Sequence, residues 1–197
     1  MAQPQKKMDA TYTYGDYASW DDDQRLEIID GAAYAMAAPL TDHQTVVGEV
    51  FGQLREALKG KRCRAMVSPL DVRLPVSDEP DESVTTTVQP DVLIVCDPSK
   101  IDRKGVRGAP DFILEVCSPT NPSHDHVLKR RRYELAGVRE YWIVHPTDRV
   151  LWTYQLVDGK FGSMEVLELL GKKPLTILPD IVVDWDELVP LLLPMAG

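Results

Sequence analysis

The spacing of apolar and polar positions predicts a chain of short strands interrupted by two longer helices. Residues 25–36 alternate around an Asp-Gly pair at 30–31, a dipeptide typical of tight turns, and form a predicted N-terminal hairpin. A C-terminal hairpin is predicted over residues 149–168, with a second Asp-Gly turn at 158–159. Near the end of the chain, a strand passes into a short helix that Asp184 caps.

Two segments carry apolar residues at the spacing of an amphipathic helix. The first runs over about 41–60, and Thr41 or Asp42 is its predicted N-terminal cap. The second runs over 123–136 and begins at Ser123. Its few apolar residues leave a strongly charged face.

Apolar runs between and beside these helices predict the strands of a core. They lie at residues 63–76, 89–97, 109–119 and 140–146. From about residue 41 to 146 the order is helix, strand, strand, strand, helix, strand, which predicts an α/β fold with a mixed central sheet and extra β-hairpins. We expect one domain over residues 1–197, with this segment as its core.

Charge and cysteine content restrict the kinds of function that the chain can have. The net charge of −9 disfavours a general nucleic-acid-coating protein, so any contact with nucleic acid needs a local basic patch or metal ions. Cys63, Cys96 and Cys117 have no metal-type spacing, and we expect buried thiols in a reducing cytoplasm. No apolar stretch is long enough to span a bilayer, so a cytoplasmic location without a membrane partner is expected.

A carboxylate stands inside the most apolar strand. Glu115 shares one strand face with Ile113 and Cys117, and a buried carboxylate costs several kcal/mol unless it is paired or bound to a metal. Asp91 begins the preceding apolar run, and the two side chains can converge if their strands are neighbours. Such a pair would share a proton or bind Mg²⁺ or Mn²⁺. The alternatives are that Asp91 caps a turn and that Glu115 pairs with a core arginine.

Four consecutive cations follow on the second helix. Lys129 lies about one turn inside it, where an amine can orient a metal-bound water or stabilise charge on a phosphate. Arg130, Arg131 and Arg132 form a local patch suited to DNA phosphates. The alternative is a solvated helix face, on which Asp125 and Lys129 form a surface ion pair at i and i+4.

These features occur together in one known family. Asp91 in "QPDVLIV", Glu115 in "PDFILEVCSPT" and the block "KRRRYELAGVREYWIVHP", in this order, resemble the Uma-type restriction endonuclease family, a branch of the PD-(D/E)XK nuclease superfamily. The resemblance covers roughly residues 20–160. It implies a restriction-endonuclease-like core and a Mg²⁺- or Mn²⁺-dependent nuclease, with Asp91, Glu115 and the Val116 carbonyl as metal ligands.

The chain departs from the superfamily pattern at one catalytic position. The superfamily motif places a lysine two residues after the glutamate, where this chain has Cys117. The resemblance implies that the lysine has moved to the next helix, and Lys129 is the matching position. Glu27 and His43 also match family positions: Glu27 as a further acid or a polar strand residue, and His43 as a phosphate contact or a loop contact. Asp125 is a further second-tier candidate.

The sequence therefore predicts a metal-dependent endonuclease that hydrolyses DNA, with Asp91, Glu115 and Lys129 as its catalytic residues. A catalytically inactive nuclease-fold module that binds nucleic acid or a protein partner is the main alternative, and a different metal-dependent hydrolase is a third. A homodimer is consistent with cleavage of two DNA strands, although no sequence feature indicates it.

Overall fold

The computed structural model describes residues 11–20, 25–117 and 124–194, and for residues 124–126 it describes the backbone alone. Its α-helices are α1 (Tyr14–Ser19), α2 (Thr41–Ala57), α3 (Arg130–Ala136) and α4 (Trp185–Leu188). A π-helical turn at His124–Lys129 leads directly into α3. None of the helices in the described ranges is both long and apolar enough to cross a membrane.

Fifteen short strands make up the described β-structure. The first eight are β1 (Leu26–Ile29), β2 (Ala32–Ala35), β3 (Arg64–Val67), β4 (Val72–Arg73), β5 (Thr87–Val88), β6 (Val92–Val95), β7 (Ile101–Asp102) and β8 (Gly105–Arg107). The other seven are β9 (Phe112–Val116), β10 (Glu140–His145), β11 (Val150–Val157), β12 (Lys160–Phe161), β13 (Glu165–Glu168), β14 (Lys172–Pro174) and β15 (Val182–Asp184).

The strands form a central sheet, a second sheet and one separate pair. The central sheet has the order β12-β11-β10-β9-β6-β3, with β13 also paired to β11. Its β9 and β10 run parallel, while β6 is antiparallel to β9, so the predicted mixed sheet is confirmed. The second sheet has the order β2-β1-β5-β4-β8-β7, and β14 pairs with β15.

The predicted order of core elements is confirmed for the central sheet and its helices as α2, β3, β6, β9, the second helix and β10. The strand predicted over residues 63–76 is divided, because β3 belongs to the central sheet and β4 to the second sheet. Both Asp-Gly turns are confirmed as well. Asp30 and Gly31 have φ angles of 54° and 79°, and Asp158 and Gly159 have φ angles of 51° and 76°. Two successive residues with positive φ match the right-handed twist of the flanking strands, which explains why Asp-Gly stands at both turns.

The two faces of the central sheet are covered by different layers. On β9, Phe112, Leu114 and Val116 pack with the apolar side of α2. Ile113 and Cys117 point to the opposite face, where they pack with the second sheet and α3. Glu115 lies on this second face, as strand alternation predicts. The charged residue is therefore enclosed between two layers of the protein.

The end of the second helix agrees with its predicted bound, whereas the start of α2 differs from the prediction. The second helix ends at Gly137, whose φ of 91° is a left-handed conformation that favours glycine. Its predicted start at Ser123 lies outside the described residues. The predicted side-chain cap of α2 is wrong, because Leu40 precedes the helix and no side chain caps it. The Asp42 carboxylate instead accepts a hydrogen bond from the amide of Leu193 at 2.9 Å.

The expectation that all three cysteines are thiols is also wrong. Cys63 and Cys96 form a disulfide, and Cys117 is buried outside it. The reason is the pairing of β3 with β6, in which Arg64 lies opposite Val95. Cys63 and Cys96, which directly flank this pair on the two antiparallel strands, therefore lie opposite each other.

Candidate active site

The two carboxylates predicted to converge lie directly opposite each other. Strand β9 pairs Leu114 with Val92, and this register brings Glu115 across from Asp91 on neighbouring antiparallel strands. Both residues are buried: Glu115 is 2% exposed and Asp91 is 9% exposed. The amide of Asp91 lies 3.4 Å from Glu115 Oε2, and the amide of Val116 donates to Asp91 Oδ2 at 2.8 Å. Backbone groups therefore fix both carboxylates.

Lys129 reaches this cluster from the last residue of the π-helical turn. It is only 3% exposed, so the alternative of a solvated helix face is wrong for this residue. Its Nζ lies 3.0 Å from Glu115 Oε1 and 2.9 Å from Glu27 Oε1. One ammonium thus bridges two buried carboxylates that belong to different sheets.

Tyr133 makes a further contact with the cluster that the sequence pattern does not predict. Its side chain is fully buried, and its hydroxyl donates to Glu115 Oε1 at 2.6 Å. Because Lys129 and Tyr133 are four residues apart, they lie on one side of the helix and donate to the same oxygen. Glu115 Oε2 is directed towards the Asp91 amide. The i, i+4 spacing of a lysine and a tyrosine was the available signal.

Glu27 balances the charge of the lysine. It is 2% exposed, and its Oε1 accepts from Lys129 and from the amide of Gln89 at 2.7 Å. Strand β1 brings it there by pairing with β5, where Ile28 lies opposite Thr87. The residue is a member of the cluster, and its contacts hold the ammonium in place.

His43 lies on the other side of Asp91, in the first turn of α2. Its Nε2 is 3.2 Å from Asp91 Oδ2, and its side chain is 16% exposed. His43 therefore contacts a carboxylate of the cluster, and its two predicted roles, as a phosphate contact or a loop contact, stay predictions. Asp125 lies in the π-helical turn, and its side chain falls outside the described part of the chain.

The three consecutive arginines point in different directions, as helical geometry requires. Arg130 stacks its guanidinium over the ring of Tyr154, with 5.2 Å to the ring centroid. Arg132 pairs with Asp30 in the β1–β2 turn, and burial lowers the pKa of Arg132. Arg131 is exposed. The structure therefore leaves Arg131 as the most accessible member of the predicted DNA patch.

The donors in this cluster fit a hard cation better than zinc. Within the described residues, no group of three or more His, Cys, Asp and Glu side chains is arranged to hold a metal ion. Asp91 and Glu115 would supply oxygen ligands, together with the Val116 carbonyl implied by the resemblance. A site with two carboxylates, completed by water and phosphate oxygens, is typical of Mg²⁺ and Mn²⁺.

Comparisons with known proteins agree with this fold. The family model "Uma2: Putative restriction endonuclease" matches residues 14–188. An uncharacterized protein from Synechocystis sp. is 28% identical over 148 residues, which cover 73% of either chain. The crystal structure of "a putative nuclease belonging to DUF820" from Anabaena variabilis ATCC 29413 superimposes with a TM-score of 0.72 at 18% identity. That match covers 92% of this chain and 99% of the other. The predicted restriction-endonuclease-like fold is confirmed.

Proposed function

The chain belongs to the Uma2 family, and from this premise we propose that it is a metal-dependent endonuclease that hydrolyses DNA phosphodiester bonds. One observation carries the proposal. Asp91, Glu115 and Lys129 come from separate elements and meet in a single buried cluster. Hydrophobic residues would fill the same space at a lower desolvation cost. A cluster of charges at this position is therefore best explained by a catalytic role.

The charge of the cluster supports a divalent cation. In their ionised forms, Glu27, Asp91 and Glu115 carry three negative charges, and Lys129 supplies one positive charge. With a neutral His43, two negative charges remain, which is the charge that one Mg²⁺ or Mn²⁺ ion would balance. Asp91 and Glu115 would hold this ion because their carboxylates face each other across β6 and β9.

Each residue of the cluster has a distinct role in this proposal. A divalent ion bound there supplies a Lewis acid for the scissile phosphate and lowers the pKa of a coordinated water. Lys129 keeps a positive charge beside the reacting phosphoryl group, where negative charge develops in the transition state. Glu27 and Tyr133 act as positioning residues, since the first holds the lysine and the second holds Glu115 Oε1.

The position of Lys129 is compatible with the displaced lysine that the family resemblance implies. Cys117 follows Glu115 on the same strand face, where the superfamily motif has its lysine, and it is 6% exposed. A thiol cannot supply a fixed positive charge. The ammonium of Lys129 reaches the same carboxylate from the adjoining helix, at 3.0 Å.

A second candidate is a nuclease-fold module that binds a nucleic acid or a protein without cleaving it. Two observations favour it: the net charge of −9 and the pairing of Arg132 with Asp30. Both weaken the electrostatic attraction between a DNA duplex and the arginine patch at residues 130–132, which cleavage of DNA would require. Cleavage activity distinguishes the two candidates.

The test is a plasmid-nicking assay in Mg²⁺, in Mn²⁺ and in EDTA. We expect wild-type protein to nick DNA only with a divalent ion, and we expect Asp91→Asn and Glu115→Gln to be inactive. Asp148→Asn is the matched control, because it applies the same change of aspartate to asparagine at an exposed position outside the cluster. Activity in EDTA, or equal activity in Asp91→Asn, would contradict the proposal. If wild-type protein cleaves neither DNA nor RNA, the binding module is the better explanation.

A further inference from the structure

An arginine outside the predicted basic patch lies beside the carboxylate cluster. Arg25 is exposed and precedes Glu27 by two residues, so both side chains leave the same side of the hairpin. Its guanidinium donates to Gln89 Oε1 at 3.0 and 3.2 Å and to Ser68 Oγ at 2.6 Å. Two neighbouring segments therefore hold its planar fork in one orientation.

Both partners of Arg25 are bonded to the backbone or side chains of the cluster. The amide of Gln89 donates to Glu27 Oε1 at 2.7 Å, and the amide of Ser68 donates to the carbonyl of Asp91 at 3.1 Å. Gln89 precedes Asp91 by two residues, which is about 7 Å of extended chain. The guanidinium is thus placed close to the proposed metal ligands.

The contacts of Arg25 within the described part of the chain are to a neutral amide and a neutral hydroxyl. Other arginines of the second sheet and its neighbourhood are paired with carboxylates. These are Arg73 with Asp81 and Asp102, Arg107 with Asp81, and Arg132 with Asp30. Among the described residues, Arg25 therefore forms no ion pair with a carboxylate, and it lies at the rim of an acidic cluster.

The side chain of Gln89 is itself held by neighbours that keep the arginine in position. Its amide nitrogen donates to the Tyr17 hydroxyl at 3.2 Å and to Asp71 Oδ1 at 2.9 Å. Burial, followed by the charge of Asp71, raises the pKa of Tyr17 to about 12, so this hydroxyl stays neutral. An arginine that is oriented in advance loses less side-chain entropy when it binds an anion.

We propose that Arg25 binds a phosphate of the DNA backbone adjacent to the scissile phosphate. This inference rests on the proposed function, since it assumes that a strand enters the carboxylate cluster. Every nucleotide of the strand carries a phosphate, so a strand bound at Asp91 and Glu115 presents a neighbouring phosphate to the rim. Gln89 and Ser68 occupy Nε and Nη2 of Arg25, so Nη1 is the nitrogen that has no partner among the described residues and can donate to such a group.

The test measures binding of a fluorescein-labelled DNA duplex by anisotropy, in EDTA and over a range of salt concentrations. We expect Arg25→Gln to weaken binding and to make the slope of log K against log[salt] shallower by about one. Arg25→Lys should keep the wild-type slope but bind more weakly, because it retains the charge and loses the guanidinium contacts with Gln89 and Ser68 that orient the side chain. Equal melting temperatures check that the variants are folded.

Arg103→Gln is the matched control. Arg103 is exposed beside β7, at the far end of the second sheet, four strand spacings or about 19 Å from β1. We expect it to leave the slope unchanged. In the cleavage assay, Arg25→Gln should raise KM several-fold with kcat nearly unchanged, because the contact stabilises the ground state and the transition state alike.

The outcomes separate this inference from the proposed function. If wild-type protein binds DNA without cleaving it and Arg25→Gln still reduces the slope, the phosphate contact stands and the nuclease proposal fails. If wild-type protein cleaves DNA and Arg25→Gln matches it in slope and KM, the phosphate contact is wrong and the nuclease proposal stands. Failure of wild-type protein to bind any nucleic acid overturns both.

Discussion

Replacing Lys129 by methionine should destabilise the metal-free protein strongly. The substitution keeps an unbranched side chain of similar length, so little packing is lost. It removes the ammonium that lies within 3.0 Å of both Glu27 and Glu115, each almost fully buried. Removing one partner of a buried ion pair typically costs about 3–5 kcal/mol, because the remaining charge is uncompensated. Against a total stability of roughly 5–15 kcal/mol, this loss is large but leaves a folded population.

A double variant tests whether the loss is electrostatic. Glu27→Gln in the Lys129→Met background leaves one uncompensated carboxylate instead of two, and we expect it to recover part of the lost stability. Lys173→Met is the matched control, since Lys173 is 2.9 Å from Glu165 in a much more exposed pair. Such pairs contribute about 0.2–1 kcal/mol.

The assay is urea unfolding followed by circular dichroism, in EDTA at constant pH. The free energy of unfolding is compared for wild-type protein, the two lysine variants and the double variant. A loss of stability in Lys129→Met no larger than that in Lys173→Met would contradict the electrostatic explanation. So would a double variant that is less stable than Lys129→Met.

Three further predictions concern the same cluster. Mn²⁺ should raise the melting temperature of wild-type protein by mass action, and Asp91→Asn and Glu115→Gln should abolish that rise, while an equal rise in all three would exclude this metal site. Tyr133→Phe should lower kcat and weaken the Mn²⁺-induced shift, since Glu115 loses a donor at 2.6 Å, and unchanged values of both would exclude the positioning role. Cys117→Ala should cleave plasmid nearly as well as wild-type protein, and a complete loss of activity would indicate that the thiol takes part.

Local sequence patterns were sufficient to predict the strands and turns that surround the site. The two Asp-Gly pairs indicated the hairpin turns, and strand alternation assigned Glu115 to the face that carries the cluster. The convergence of Asp91 and Glu115 followed from the single assumption that their strands are neighbours. Each of these inferences depends on residues close together in the sequence or on one strand pairing.

Features that depend on distant contacts could not be predicted in this way. The sequence did not show that Lys129 faces inward, because burial of a charged helix depends on the carboxylates that meet it, here Glu27 and Glu115. Asp42 resembled a helix cap, but its partner is the amide of Leu193 at the other end of the chain. The position of Arg25 likewise depends on Gln89, which directly follows β5 and is 64 residues away in the sequence.

The most direct test of a metal site at Asp91 and Glu115 is a crystal structure of the protein soaked in Mn²⁺, with anomalous data collected near the manganese edge. We expect one strong anomalous peak in contact with Asp91 and Glu115, and the loss of that peak in Asp91→Asn crystals. A structure in which manganese is bound elsewhere, with no anomalous peak at these two carboxylates, would contradict the proposed metal site.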